Sequence, residues 1–254
     1  MTDLLAQLAS PQTRLSALQD LCNRLERNSA LGEATWNSPG ISLALLSMLT
    51  SSYRLLEHPE SASLYAPQLR VLLDTVRLLG KSPEVARSIV SSGFDTFILP
   101  FLYAKHAPGA VREAAVQILI GVLQRTRNCA HYMDLEILSL LLPLLGGEVS
   151  PPVFEAATEL LTLLFRLEKN LLPSDQAIQL VLFLSEVLLA LKPVARGDWF
   201  VRQESLGQLV SLISLLVDDP QVRSQTLQSV RRLRSELKER STGELEAALQ
   251  RLSA

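Results

Sequence analysis

The fold is decided by residues 111–124, which read Val-Arg-Glu-Ala-Ala-Val-Gln-Ile-Leu-Ile-Gly-Val-Leu-Gln. On a helix of about 3.6 residues per turn, Glu113, Gln117 and Gln124 fall on one narrow line. Apart from Arg112, the remaining side chains are apolar. A helix with so little polar surface must be covered on nearly every side. The stretch therefore predicts a central helix that packs between neighbours and meets water along one edge.

A spacing of polar residues of four, then three, then four positions recurs along the chain, although Ile120 takes the third place in the central helix and the last set ends at Ser211. The sets begin at Arg70, Glu113, Glu155 and Glu204, so their starting points lie 43, 42 and 49 residues apart. One central helix in every repeat of roughly forty residues is the pattern of armadillo and HEAT proteins. We predict an all-α fold, an armadillo/HEAT-like right-handed superhelical solenoid of about five to six repeats.

We call the aligned polar residues the polar stripe and predict that they form a partner-binding groove. Solenoids commonly bind extended peptides or a helix of another protein on such a surface. The alternative is that the stripe is only the exposed edge that every solenoid has. In both cases its side chains should be exposed, and its ion pairs should contribute only about 0–1 kcal/mol each. The predicted groove residues are Arg70, Asp74, Arg77, Glu113, Gln117, Gln124, Glu155, Glu159, Arg166, Glu204 and Gln208.

The charge of the stripe argues against general nucleic-acid binding, because that affinity comes largely from neutralised phosphates. Arg70, Arg77 and Lys81 make its early end basic, whereas Glu155 and Glu159 begin an acidic later part. The C-terminal segment is more basic, and Arg231, Arg232 and Arg234 are its candidate nucleic-acid contacts. A solvated charged helix is the alternative for that segment.

Composition excludes several classes of protein. The 254 residues are 48% hydrophobic but only 5% aromatic, which favours layered helices over a β-sandwich. The longest apolar runs are interrupted by proline or polar residues, so we predict no membrane insertion, and no secretory signal is visible. Cys22 and Cys129 are the two cysteines. Reduced thiols fit a cytoplasmic protein, with the nucleus as an alternative location. The formal net charge of −2 indicates no particular partner.

Prolines and capping residues place the predicted helix boundaries. The first helix is expected to open at Ser10-Pro11, and residues 58–61 to form a flexible loop. The first helix of the stripe is expected to start at Pro67 and to end before Gly80. We predict an armadillo-repeat domain over 1–226. Residues 227–254 should form a basic C-terminal helix that packs on the last repeat or is partly flexible.

Catalytic and metal-binding motifs are missing from the sequence. There is no phosphate-binding loop, no nucleophile elbow and no zinc-protease motif. Cys129 and His131 are two residues apart, but one such pair does not make a four-ligand zinc site. Glu155 and Glu159 share a helix face, where a solvated edge is the simpler interpretation than acid–base catalysis. We therefore predict no catalytic residues, no metal and no cofactor.

The two tryptophans are candidate anchors for a partner. Trp36 lies near the end of a short predicted helix, where packing in the core is the favoured interpretation. Trp199 follows Gly197 in a connection, where exposure is favoured.

Several segments, taken in order, resemble one family of helical-repeat proteins. They are Leu8-Ala9-Ser10-Pro11-Gln12-Thr13-Arg14, Thr35-Trp36-Asn37-Ser38, Ser82-Pro83-Glu84, Ile98-Leu99-Pro100-Phe101-Leu102, Ile120-Gly121-Val122-Leu123 and Asp218-Asp219-Pro220-Gln221-Val222-Arg223. The chain resembles a divergent member of the Rcd (required for cell differentiation) family. Members of this family are the armadillo-repeat subunit of the Ccr–Not mRNA deadenylase complex.

The resemblance implies a non-enzymatic scaffold that docks on the Not-type scaffold protein of that complex. It also implies that peptides of RNA-binding regulators bind the armadillo surface and direct mRNA decay and translational repression. The family further implies a homodimer, tryptophan pockets and a groove for single-stranded nucleic acid. We transfer neither of the last two, because the stripe is of mixed charge and Pro173-Ser174-Asp175-Gln176 replaces the family's Tyr-Glu-Arg-Phe. The alternatives are an armadillo-type adaptor of an unrelated complex and an enzyme whose site is assembled from scattered residues.

Overall fold

The computed structural model describes residues 2–146, 149–191, 203–238 and 250, and in these residues the chain is helical without a strand. The predicted all-α, helical-repeat class is therefore confirmed. The chain divides into two compact units, Met1–His131 and Tyr132–Ala254.

Short 3₁₀ turns separate several of the α-helices. The first unit contains α1 (Thr2–Ala9), α2 (Arg14–Arg27), α3 (Leu31–Trp36), α4 (Ile41–Ser52), α5 (Pro59–Leu79), α6 (Pro83–Ser91), α7 (Pro100–Tyr103) and α8 (Gly109–Thr126). Helix α9 (Cys129–Asp134) crosses the boundary between the units. The second unit continues with α10 (Ile137–Leu141), α11 (Pro151–Leu167), α12 (Ser174–Ala190), α13 (Gln203–Leu216) and α14 (Pro220–Lys238). The 3₁₀ turns are Tyr53–Glu57, Phe94–Phe97 and Leu142–Leu145.

Helices α5 and α8 run parallel to each other, one repeat apart. At one end Arg70 Nη1 lies 2.9 Å from Glu113 Oε2, an offset of 43 residues. At the other end Arg125 Nε donates a hydrogen bond to the carbonyl of Lys81 at 2.7 Å, an offset of 44. An offset that stays nearly constant over the whole contact means that the two helices share one direction and register.

The core of the first unit is apolar and contains a few buried polar groups, of which Asp95 Oδ1 and Arg112 Nε have no hydrogen-bond partner. Ala114 and Ala115 of α8 are fully buried, and such small side chains let neighbouring helices approach closely. The Trp36 ring is buried edge-to-face against Phe94, with the ring centroids 5.1 Å apart. The Trp36 indole N–H donates to Ser88 Oγ at 2.9 Å, so this tryptophan belongs to the core, as expected.

The second unit repeats this parallel arrangement with α12 and α14. Ser174 Oγ donates to Asp219 Oδ2 at 3.0 Å, an offset of 45 residues. Glu186 Oε1 lies 3.8 Å from Arg232 Nη1 at the other end, an offset of 46. The Asp219 carboxylate also accepts the backbone N–H of Gln221 at 2.7 Å, which caps the first turn of α14.

The prediction that the first helix begins at Ser10-Pro11 is wrong. Helix α1 precedes that point, and α2 begins only at Arg14, after a turn. The Arg14 guanidinium donates from Nε to the carbonyl of Leu8 at 2.9 Å. Thr13 Oγ1 donates to the carbonyl of Gln7 at 2.8 Å. These bonds satisfy carbonyls at the end of α1, so the proline stands in a turn between two helices.

The predicted loop at 58–61 is also wrong, because α5 begins at Pro59. His58 has extended backbone angles and Pro59 occupies the first helical position, where its missing N–H costs nothing. Pro67 then lies inside α5 rather than at its start. An internal proline removes one backbone hydrogen bond. The carbonyl left without a donor belongs to Ser63, which is exposed, so water can reach it.

No single helix among the described residues is long and apolar enough to cross a membrane. By length and composition alone, the segments Pro83–Ser91 and Phe94–Tyr103 taken together could span a membrane, but the chain bends by 79° between them.

Replacing Ile118 with Asp should abolish cooperative folding of the first unit or lower its melting temperature sharply. Ile118 is 1% exposed, and a buried carboxylate without a partner costs several kcal/mol. Thermal melts followed by circular dichroism measure the effect. Gln124→Glu is the matched control, because it places a carboxylate on an exposed position of the same helix. A melt of Ile118→Asp that matches this control would show that α8 is not the buried centre.

Candidate partner-binding site

The polar stripe of the first unit is a chain of ion pairs. Arg77 Nε lies 3.0 Å from Asp74 Oδ1, and Arg70 Nε lies 2.9 Å from Asp74 Oδ2. Arg70 then crosses to α8, where Nη1 contacts Glu113 Oε2 and the carbonyl of Ala110, both at 2.9 Å. The structure thus brings together the stripe residues of two helices that lie 43 residues apart in sequence.

This arrangement changes the electrostatics expected from the sequence. Arg70 and Arg77 carry two positive charges and Asp74 and Glu113 two negative ones, so the cluster is neutral. The basic early end that the sequence predicted is therefore reduced to Lys81, which is exposed. Burial lowers the pKa of Arg70, but its hydrogen bonds with Asp74 and Glu113 outweigh this, so the pKa stays above its ordinary value.

These side chains are less exposed than the sequence predicted, although all of them still reach water. The side chains of Arg70, Asp74, Arg77 and Glu113 are only 23–34% exposed. They are partly covered because α5 and α8 pack side by side, and the Arg70 side chain lies across the seam. Along α8 the stripe continues through half-buried Gln117 to exposed Gln124.

The stripe of the second unit lies on α11 and α13, which pack against each other. Glu155, Glu159 and Gln208 are half-buried, and Arg166 is exposed near the end of α11. The side chain of Glu204 lies outside the described residues. The two halves of the stripe belong to different units, so one continuous groove remains a prediction.

Exposed apolar side chains in the first unit were missed by the sequence analysis. Leu43 is 68% exposed on α4, Leu64 is 71% exposed on α5, and Tyr103 is 62% exposed. A signal for Leu43 was available. It lies two positions after the buried Ile41, which places it on the opposite side of the helix. Single exposed apolar side chains are common on soluble proteins, whereas a contiguous exposed apolar patch marks a contact with another protein.

A cleft of about 430 Å³ opens in the first unit between α2, α4 and α5. Its apolar floor includes Leu18, Met48 and Leu72, and its rim includes Arg14 and Tyr65. The cleft combines an apolar floor with a few polar groups at its rim.

The Cys129–His131 pair does not come together as two ligands. Cys129 is buried, whereas His131 Nε2 lies 2.6 Å from Oδ2 of the fully buried Asp95. Among the described residues no group of three or more His, Cys, Asp or Glu could hold a metal. Burial raises the pKa of Asp95, and its hydrogen bond with His131 only partly offsets this. Cys22 is half-buried with Sγ 3.1 Å from Thr75 Oγ1, and burial raises the pKa of its thiol.

The three predicted nucleic-acid contacts of the C-terminal segment are all exposed on α14. Arg232 is paired with Glu236 at 3.1 Å and faces Glu186 of α12. Arg231 and Arg234 point away from that seam. Residues 227–238 form the C-terminal part of α14, and Trp199 lies outside the described residues.

Comparison with known protein families shows which family this chain belongs to. The model described as the cell differentiation family, Rcd1-like, matches residues 4–146, more than half of the chain. The chain belongs to the Rcd1-like family. The matched residues contain α5, α8, the ion-pair chain, the cleft and the exposed leucines. Rcd1-like proteins are non-catalytic adaptors.

Two solved structures share the fold over nearly the whole chain. Both are crystal structures of engineered proteins, with TM-scores of 0.67 and 0.65 and sequence identities of 16% and 14%. The alignments cover 99% of this chain and 95% and 97% of the engineered chains. At such low identity the likeness supports the fold alone.

Replacing Arg70 with Gln should lower the free energy of unfolding by about 1–2 kcal/mol, because it removes charge-assisted bonds to two carboxylates and a carbonyl. Arg87→Gln is the control. Arg87 pairs with Glu84 on the surface, where the two side chains are 63% and 55% exposed. Such a pair contributes little. Urea unfolding of both variants measures the difference, and equal losses would mean that the partly covered chain is no stronger than an ordinary surface pair.

The buried Asp95 should make stability depend on pH. Its pKa is raised above 3.8, so the folded state holds a proton more tightly than the unfolded state. Stability is therefore greatest below that value and falls as the pH rises through the folded-state pKa. Asp95→Asn keeps an acceptor for His131 but cannot ionise. The free energy of unfolding of the wild type, minus that of the variant, should decrease as the pH rises from about 3.8. A difference that increases over this range would contradict the assignment.

Proposed function

We propose that this chain is a non-enzymatic adaptor subunit of the Ccr–Not mRNA deadenylase complex. In this role it docks on the Not-type scaffold protein and binds peptides of RNA-binding regulators, which directs the deadenylase to chosen transcripts. The observation that carries the proposal is membership in the Rcd1-like family across residues 4–146. The action takes place in the cytoplasm, with the nucleus as a second location.

The surface of the first unit supports a protein partner rather than a small substrate. Its ion-pair chain is internally neutral and therefore supplies rigidity rather than a charged site. Leu43 and Leu64, in contrast, hold large apolar groups in water. Burial of apolar area stabilises association by roughly 25 cal/mol per Å², so these leucines are favoured anchors for the scaffold protein.

The regulators' peptides are assigned to the polar stripe. Gln117 and Gln124 on α8 offer amide groups that donate and accept hydrogen bonds. Such groups suit the backbone of an extended peptide, whereas the paired arginines have little charge left to offer.

Affinity purification of the tagged chain tests the proposal. Deadenylase and Not-type subunits should be recovered with it, and the purified chain alone should not shorten poly(A). Consistent absence of those subunits would favour an armadillo-type adaptor of an unrelated complex. Shortening of poly(A) by the chain alone would overturn the adaptor role.

The docking surface has its own test in the same experiment. Leu43→Glu should reduce recovery of the scaffold protein by about tenfold, since roughly 1.4 kcal/mol of lost burial is one order of magnitude in affinity. Ser47→Glu is the control, because it places the same charge on an exposed position one turn further along α4. Equal recovery with both variants would place the scaffold contact elsewhere on the chain.

A further inference from the structure

Helix α14 presents a line of cations along one flank. Its buried positions are Val222, Thr226, Val230, Leu233 and Leu237. Beside them, Arg223, Leu227, Arg231 and Arg234 follow one another at intervals of four, four and three residues. On a helix of about 3.6 residues per turn these positions lie on one side. We call these four residues the α14 flank, and Lys238 continues the line.

The opposite flank of α14 is already neutralised. Arg232 Nε lies 3.1 Å from Glu236 Oε1, and its Nη1 lies 3.8 Å from Glu186 of α12. One residue corresponds to about 100° around a helix, so Arg231 and Arg232 face different surroundings although they are neighbours in sequence. The structure therefore separates the three arginines that the sequence grouped together.

Within the part of the chain that the structure describes, the two central arginines of the α14 flank are not neutralised. Arg231 and Arg234 are exposed, and no carboxylate of the described residues pairs with either. Arg223 is held in place, since its Nε donates to the carbonyl of Val217 at 3.0 Å. Asp218 and Asp219 precede α14, so the positive charge is centred on Arg231 and Arg234. Leu227 lies between the cations and is 42% exposed.

We propose that the α14 flank docks an acidic peptide with an apolar residue between its acidic residues. Guanidinium groups bind carboxylates and phosphorylated side chains through paired hydrogen bonds. Leu227 lies one turn from Arg223 and one turn from Arg231, so an apolar side chain between two acidic ones would cover it. The order cation, leucine, cation along the helix matches this order of acidic and apolar groups in the peptide.

Single-stranded nucleic acid and a partner helix fit the α14 flank less well than an acidic peptide does. Single-stranded nucleic acid is usually bound by cations together with aromatic side chains on which bases stack, and α14 contains no aromatic residue. A partner helix would need an apolar seam repeated every three or four residues, whereas the flank offers Leu227 alone. The surface lies outside residues 4–146, so it is independent of the family match.

Fluorescence anisotropy with the full chain tests this inference. The probe is a labelled peptide with a central leucine between acidic residues, and a second probe has serine in place of the leucine. Arg231→Gln should weaken binding of the leucine peptide about fivefold or more, since a lost charge-assisted bond is worth roughly 1 kcal/mol or more. Arg232→Gln should change it less than about twofold, because that side chain is already paired.

Leu227→Gln separates docking from simple charge attraction. It should weaken the leucine peptide and leave the serine peptide unchanged. The melting temperature of each variant, measured by circular dichroism, should match the wild type because all three positions are exposed.

Several results would overturn the inference. Equal losses for Arg231→Gln and Arg232→Gln would mean that only net charge matters. Tighter binding of a labelled oligouridylate than of the peptide, with the same sensitivity to Arg231→Gln, would assign the flank to nucleic acid. No binding of the leucine peptide at low ionic strength would remove the site altogether.

Discussion

Burial of α8 on nearly every side is the constraint on which the first unit depends. Nine of its residues are buried, from Val111 to Leu123, and they cover all but one edge of the helix. Such a helix is stable only when neighbours cover it, and α5 and α6 both pack along it. The side left for polar groups is narrow. The parallel register with α5 places the polar edge of that helix next to it, which is why Arg70 reaches Glu113.

The parallel register also explains why the polar stripe of the first unit has less unpaired charge than its sequence suggests. When two parallel helices are offset by one repeat, residues 43 or 44 positions apart lie at the same level. Opposite charges at the same level pair and cancel, and the pairs then tie one repeat to the next. The electrostatic contribution of the stripe is therefore structural in the first unit.

The sequence predicted the helical class because the polar spacing within each helix and the spacing between repeats are both properties of sequence positions. The Arg70–Glu113 pair was also predictable from the sequence, because the two residues have opposite charge and equivalent positions in successive repeats. The contact between Asp95 and His131 was not predictable from the sequence. These residues lie in different local structures 36 positions apart, and no periodicity relates them. Pro59 and Pro67 misled the boundaries because a proline fits the first turn of a helix, yet is sometimes tolerated within one.

The two parallel helix pairs show how a repeat determines which charges remain available for binding. In both pairs, residues on the seam meet partners from the neighbouring helix, as Arg70 meets Glu113 and Arg232 faces Glu186. A cation one position away from the seam points elsewhere and keeps its charge, as Arg231 does. Composition alone cannot distinguish Arg231 from Arg232, because both belong to the same basic segment. Their positions relative to the seam do distinguish them. Binding surfaces of helical repeats are therefore better inferred from register than from local charge density.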